Sequence, residues 1–114
     1  MASVFEVASI LGKKIRLTET QVEHIQDRHP EFKGQTDKIK RCIEQPDLVL
    51  YDLAEDNYQY CKYFVETPVG QKHLVVIVRY LNGDGFVITS LFVSSGKLRL
   101  VNKECVYGQV KDFH

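Results

Sequence analysis

Between residues 47 and 94 this chain carries four runs that leave the backbone little choice. DLVLYDL (47–53), YQYCKYFVET (58–67), KHLVVIVRYL (72–81) and GFVITSLFVS (85–94) are dense in β-branched and aromatic residues. Such side chains pack well on a pleated surface. The joints contain EDN, PVG and NGDG, which are turn compositions. Short joints connect antiparallel neighbours, because a parallel crossover needs about a dozen residues or more. The runs therefore predict a meander of hairpins. HLVVIV is apolar on both faces, so it is expected as a central strand covered from both sides. The later stretch KLRLVNKECVY is expected either to add a strand or to lie across an edge.

The N-terminal part reads as helix. Thr18 is a good N-cap, and Gln21 stands at the third helical position, which makes a capping box. Leu17 and Val22 occupy the two staple positions around that cap. Val22, Ile25 and His29 recur at helical spacing and share one face. Pro30 disfavours helical geometry at the residue before it, so the helix should end near His29. A second helix is expected from Thr36 to about Gln45, with Ile39, Cys42 and Ile43 as its apolar stripe and Pro46 as its stop. Helices first and strands afterwards predict an α+β fold. The expectation is one or two N-terminal helices packed on a four- to five-stranded antiparallel meander sheet, as a single domain over residues 1–114.

Composition narrows the class. With 44% hydrophobic and 26% charged residues, the chain is globular and not disordered. No apolar run reaches the ~18 residues of a membrane span, so no membrane partner is expected. MASVFEVASILGKK places its apolar residues before its lysines, the reverse of a secretory signal, so a cytoplasmic protein is expected. Cys42, Cys61 and Cys105 are odd in number and form no CxxC pair. Neither a zinc site nor a disulfide framework follows, and three reduced, mostly buried thiols are expected. Net charge is zero, whereas a nucleic-acid binder usually has a basic surplus. Any such surface must be local. GKKIR (12–16) and DKIKRC (37–42) are candidate patches, with DLAED (52–56) as an acidic counterweight.

The stretch HIQDRHPEF (24–32) carries the chemistry. His24 lies about 140° around the helix from His29 at 3.6 residues per turn, and it pairs with Arg28 at i,i+4 spacing. Histidine titrates near neutrality, so the box can move protons. The residues leave a second reading open, in which His29 caps the last carbonyls and His24 is simply exposed. A zinc-binding helix wants its histidines at i,i+4. Here the spacing is i,i+5 without a cysteine cluster, so no metal site and no cofactor are expected.

Taken in order, LTETQVEHIQDRHPEF, IKRCIEQPDLVLYD, YQYCKYFVET, HLVVIVRYL and FVITSLFV resemble phage-associated nuclease domains of the barnase/EndoU/colicin/RelE-like superfamily of metal-independent ribonucleases. The resemblance covers residues ~15–107. It implies one or two N-terminal helices on a four-stranded antiparallel sheet. It also implies RNA cleavage by attack of a ribose 2′-hydroxyl on the adjacent phosphate. Carried over position by position, the helix box falls on His24, Arg28 and His29. His24 or His29 would transfer protons, and Arg28 would bind phosphate. The strand positions fall on Lys62 as a cation and on Thr89 or Ser90 as a hydroxyl donor. Only one of the last two can serve, because adjacent strand residues face opposite ways, and Thr89 is favoured. Ser90 and Leu91 follow that threonine where the family often has an aromatic residue.

Tyr58 and Tyr60 flank Lys62 on one side and would stack on bases, while Tyr63 is expected in the core. Arg79 is either a further phosphate ligand or a cation tipped into water. His73 is expected as an exposed turn residue. The resulting expectation is an endoribonuclease with RNA as substrate, acting as a toxin or host-interference factor. The alternative is a non-catalytic module on the same scaffold that binds RNA or a protein partner such as a cognate inhibitor. Monomer and homodimer are both open, because an uncovered edge strand favours pairing.

Overall fold

The computed structural model describes residues 2–94 and 99–109. Strands β1 (Ser3–Ala8) and β2 (Lys14–Thr18) precede helix α1 (Glu19–Arg28), a 3-10 turn (Pro30–Phe32) and helix α2 (Thr36–Glu44). There follow β3 (Leu48–Asp52), β4 (Asn57–Phe64), β5 (Lys72–Leu81), β6 (Asp84–Val93) and β7 (Lys103–Gly108). All seven strands form one sheet in the order β1-β2-β6-β5-β4-β3-β7.

This corrects the expected fold class. The antiparallel meander exists, as β3 to β6. It is the middle of a mixed seven-stranded sheet and not the whole of it. Two strands stand before the helices, and β2 joins β6 in parallel through Ile15↔Gly85 and Arg16↔Phe86. GKKIR is accordingly half turn and half strand. Ile15 and Leu17 are fully buried, while Lys14 and Arg16 reach Glu6 on β1 at 3.3 and 2.8 Å. The Arg16 hydrogen bond, with Lys14 beside it, holds the Glu6 carboxyl below its ordinary range. At the other margin β7 pairs with β3. Both margin strands are interrupted by a register shift, one near Ser3/Phe5 and one opposite Val49/Leu50. Bulges of this kind make an open edge a poor template for another chain.

The helix boundaries follow their local chemistry. Thr18 Oγ1 accepts from the Gln21 amide at 3.2 Å. Leu17 is buried and Val22 packs on the core. The helix stops at Arg28, where the His29 amide donates to the Ile25 carbonyl at 2.8 Å. A Thr18→Ala substitution removes the cap and is expected to cost about 1 kcal/mol. Urea unfolding checks this as a lower midpoint at unchanged slope.

Both faces of the sheet are covered. On one, Ile25, Phe32, Ile39, Cys42 and Ile43 pack over Ile15, Val49, Tyr60, Leu74, Val76 and Val87. On the other, Leu48, Leu50, Cys61 and Val75 form a second cluster. Strand β5 is therefore buried from both sides, as its apolar run predicts. Two further expectations change with this. His73 lies inside β5 at 4% exposure, and is not a turn residue. Tyr63 is 37% exposed near the end of β4, with its ring 5.1 Å from that of His73, and is not a core residue.

Cys42 and Cys61 are buried, Cys105 is exposed, and all are free thiols. Burial pushes the Cys42 thiol well up and that of Cys61 to about 12. Both stay protonated and are poor nucleophiles at neutral pH. Among the described residues no helix is long and apolar enough to cross a membrane.

Candidate active site

Strand β2 runs directly into α1, so the helix starts where the parallel joint ends. The β2–β6 pairing stops at Arg16↔Phe86. Beyond that point the outer side of β6 faces α1. The β5–β6 register also changes here: Val78 opposes Val87, but Ile77 opposes Thr89. Ile88 is thus an extra residue, a bulge, and its carbonyl accepts a hydrogen bond from the Gln21 side-chain amide.

Between this bulge and the helix lies a cleft of about 290 Å³, lined by Gln21, His24, Ile25, Arg28, Ile88 and Thr89. The four helical residues are spaced 0, 3, 4 and 7 from Gln21, which puts them on one helix face. Ile25 is 2% exposed and forms the apolar floor. His24 and Arg28 are exposed. The lining contains an imidazole, a guanidinium and a threonine, and no carboxylate. An anion entering it meets a cation and hydrogen-bond donors with no fixed negative charge on the walls.

A larger cleft, of about 360 Å³, lies between α2 and the end of β4. Its lining opposes Lys38 and Arg41 with Asp37 and Glu66 around Phe64. The balanced charge makes it a poorer host for a phosphate, and it contains no histidine.

Of the residues singled out in the sequence, the structure brings His24, Arg28 and Thr89 into one cleft. The others go elsewhere. His29 is the C-cap of α1, with Nδ1 3.7 Å from Glu31 and its ring edge-on to Phe32. Ser90 is fully buried opposite Val76, so of the two hydroxyls only that of Thr89 is at the cleft. Lys62 donates to the Gln45 carbonyl at the end of α2, 2.8 Å away, and lies 3.8 Å from Asp47. Tyr60 is fully buried, with its hydroxyl 2.8 Å from that of Tyr80, and no face of its ring is open to a base. Burial pushes its pKa up and keeps it neutral. Arg79 donates to the Glu55 carbonyl at 3.0 Å, in the β3–β4 turn.

Gln21 and Ile88 line the cleft but were not read from the sequence as site residues. The only sequence signal was the capping box, and it concerned helix stability. Among the described residues no three His, Cys, Asp or Glu side chains are grouped so as to hold a metal ion.

The chain matches the family described as phage-Barnase-EndoU-ColicinE5/D-RelE like nuclease2 over residues 3–107, from the first residue of β1 into β7. Among curated proteins and among solved structures nothing matches it.

Proposed function

Since the chain belongs to this nuclease family, we propose that it is an endoribonuclease whose cleavage site is the cleft between α1 and the β6 bulge. One observation carries this reading: His24, Arg28 and Thr89, from two distant parts of the chain, line a single cleft free of carboxylates. His24 takes the ribose 2′ proton as that oxygen attacks the neighbouring phosphorus. The bond from phosphorus to the 5′ oxygen breaks, and that oxygen takes its proton from a solvent water in the open cleft, while His24 returns the proton it took to solvent. The products are a 2′,3′-cyclic phosphate and a free 5′-hydroxyl. Arg28 grips the non-bridging oxygens with its planar fork of donors. Thr89 adds a hydroxyl donor where charge builds up. The imidazole takes the proton, the guanidinium and the hydroxyl hold the charge, and the scheme calls on no metal ion.

Incubation with tRNA and with a synthetic RNA in EDTA tests the proposal. Fragments ending in 2′,3′-cyclic phosphate are expected, and DNA of the same sequence should stay whole, because it lacks the attacking hydroxyl. Intact RNA would overturn the reading. If the protein acts as a toxin or host-interference factor, expression should arrest growth, and His24→Ala should relieve the arrest.

A second reading is a non-catalytic module that binds RNA or a protein such as a cognate inhibitor, and zero net charge favours the protein-binding form of it. Salt separates its two forms. Binding through phosphates weakens steeply with salt because counterions are released, and binding to a protein partner has no such requirement.

A further inference from the structure

We infer that Gln21 is a positioning residue of the cleft: its side-chain amide pins the β6 bulge at Ile88 and so holds Thr89 in place across from His24 and Arg28. The inference rests on the nuclease reading of that cleft.

A glutamine three residues after a threonine N-cap would ordinarily fold back to the cap's own amide. Half of that arrangement is present, since the Gln21 backbone amide donates to Thr18 Oγ1. The other half is not used. Thr18 is still a sheet residue, opposite Ser3 of β1. The Gln21 side chain turns to the Ile88 carbonyl, 67 residues further along the chain.

That carbonyl needs a donor for a topological reason. The β2 partner of β6 ends at Arg16↔Phe86, because the chain leaves the sheet to begin α1. Past Phe86, β6 has no strand on that side to continue the ladder. Gln21 supplies a rung in its place. The rung falls on the extra residue of the bulge, where the ladder constrains the strand least. Among the described residues it is the side-chain hydrogen bond that ties α1 to β6. It therefore fixes the bulge itself, and with it Thr89, against the wall carrying His24 and Arg28. A misplacement of about 1 Å can cost on the order of 100-fold in rate.

Gln21→Met tests this. Methionine has similar length, suits a helix, adds no charge and cannot donate. The backbone amide at 21, which the cap uses, remains. Steady-state cleavage of a synthetic RNA oligonucleotide should show kcat lower by roughly 10–100-fold, with KM within about twofold. The thermal midpoint should fall by no more than about 8 °C, the order expected for losing one hydrogen bond, so the variant stays folded at the assay temperature. Amide hydrogen exchange at Ile88 and Thr89 should speed up, while that at Leu74 and Val76 in the buried β5 should not. A wild-type kcat in the variant would overturn the inference, and so would unchanged exchange at Ile88 and Thr89. A fall in kcat matched by an equal loss of folded protein would also overturn it, because that is a stability effect. If the wild-type chain leaves the RNA whole, the nuclease reading falls, and the exchange measurement still decides whether Gln21 holds the bulge.

Discussion

Replacing His24 with alanine is expected to slow RNA cleavage by roughly 10²–10⁴-fold, the usual worth of a positioned acid or base. His24 is exposed on α1, so its removal opens no core cavity, and folding should be nearly unchanged. The loss should appear in kcat, because proton transfer belongs to the transition state and not to ground-state binding. Arg28→Lys makes a useful companion. It keeps the charge and loses the bidentate fork, so it should bind RNA and cleave it slowly. His29→Ala sets the contrast. His29 sits at the helix end against Glu31 and Phe32, outside the cleft. It should cost far less rate than His24→Ala. Rates of cleavage of one RNA, measured side by side with circular dichroism of each variant, check all of this. A large loss at His29 with little at His24 would move the site to the other side of the helix end.

The pattern of what could be read from the sequence is physical. Helix ends were legible because caps and prolines act over a few residues. The Thr18 cap and the stop before Pro30 are both in place. The meander was legible because its joints are short. Strands β1 and β2 were not. Each is only five or six residues long, and β2 is fixed by pairing with Gly85 and Phe86, about seventy residues away, which no local pattern encodes. Placing His24 and Arg28 on one face needed only the 3.6-residue period. Placing Tyr60 and Lys62 needed more. The alternation that puts them on one face of β4 was correct, but the sequence does not say which face α2 covers. It covers this one, so Tyr60 joins the core and Lys62 ends on a carbonyl of α2. The Ile88 bulge carries no glycine to announce it, and so neither Ile88 nor its tie to Gln21 was foreseen.

The second large effect is expected at Phe32. This ring follows the histidine box by one short turn and is 1% exposed. It lies flat against Phe92 of β6, with centroids 4.4 Å apart and planes within 4°. It also meets the edge of His29. One side chain thus fastens the end of α1 to the strand that carries Thr89. Phe32→Ala removes the buried ring and leaves a cavity that two helices and a sheet can only partly close. Such changes cost about 3–5 kcal/mol, against a total stability of about 5–15 kcal/mol for a domain. At ~2–8 °C per kcal/mol for domains of 60–250 residues, the thermal midpoint should fall by at least about 6 °C. Phe32→Leu keeps most of the volume and should cost clearly less. Urea titrations of the three proteins check the order, with a common slope showing that the folded states stay compact. A loss below about 1 kcal/mol for Phe32→Ala would mean that the site can collapse onto Phe92 without penalty, which the surrounding close packing argues against.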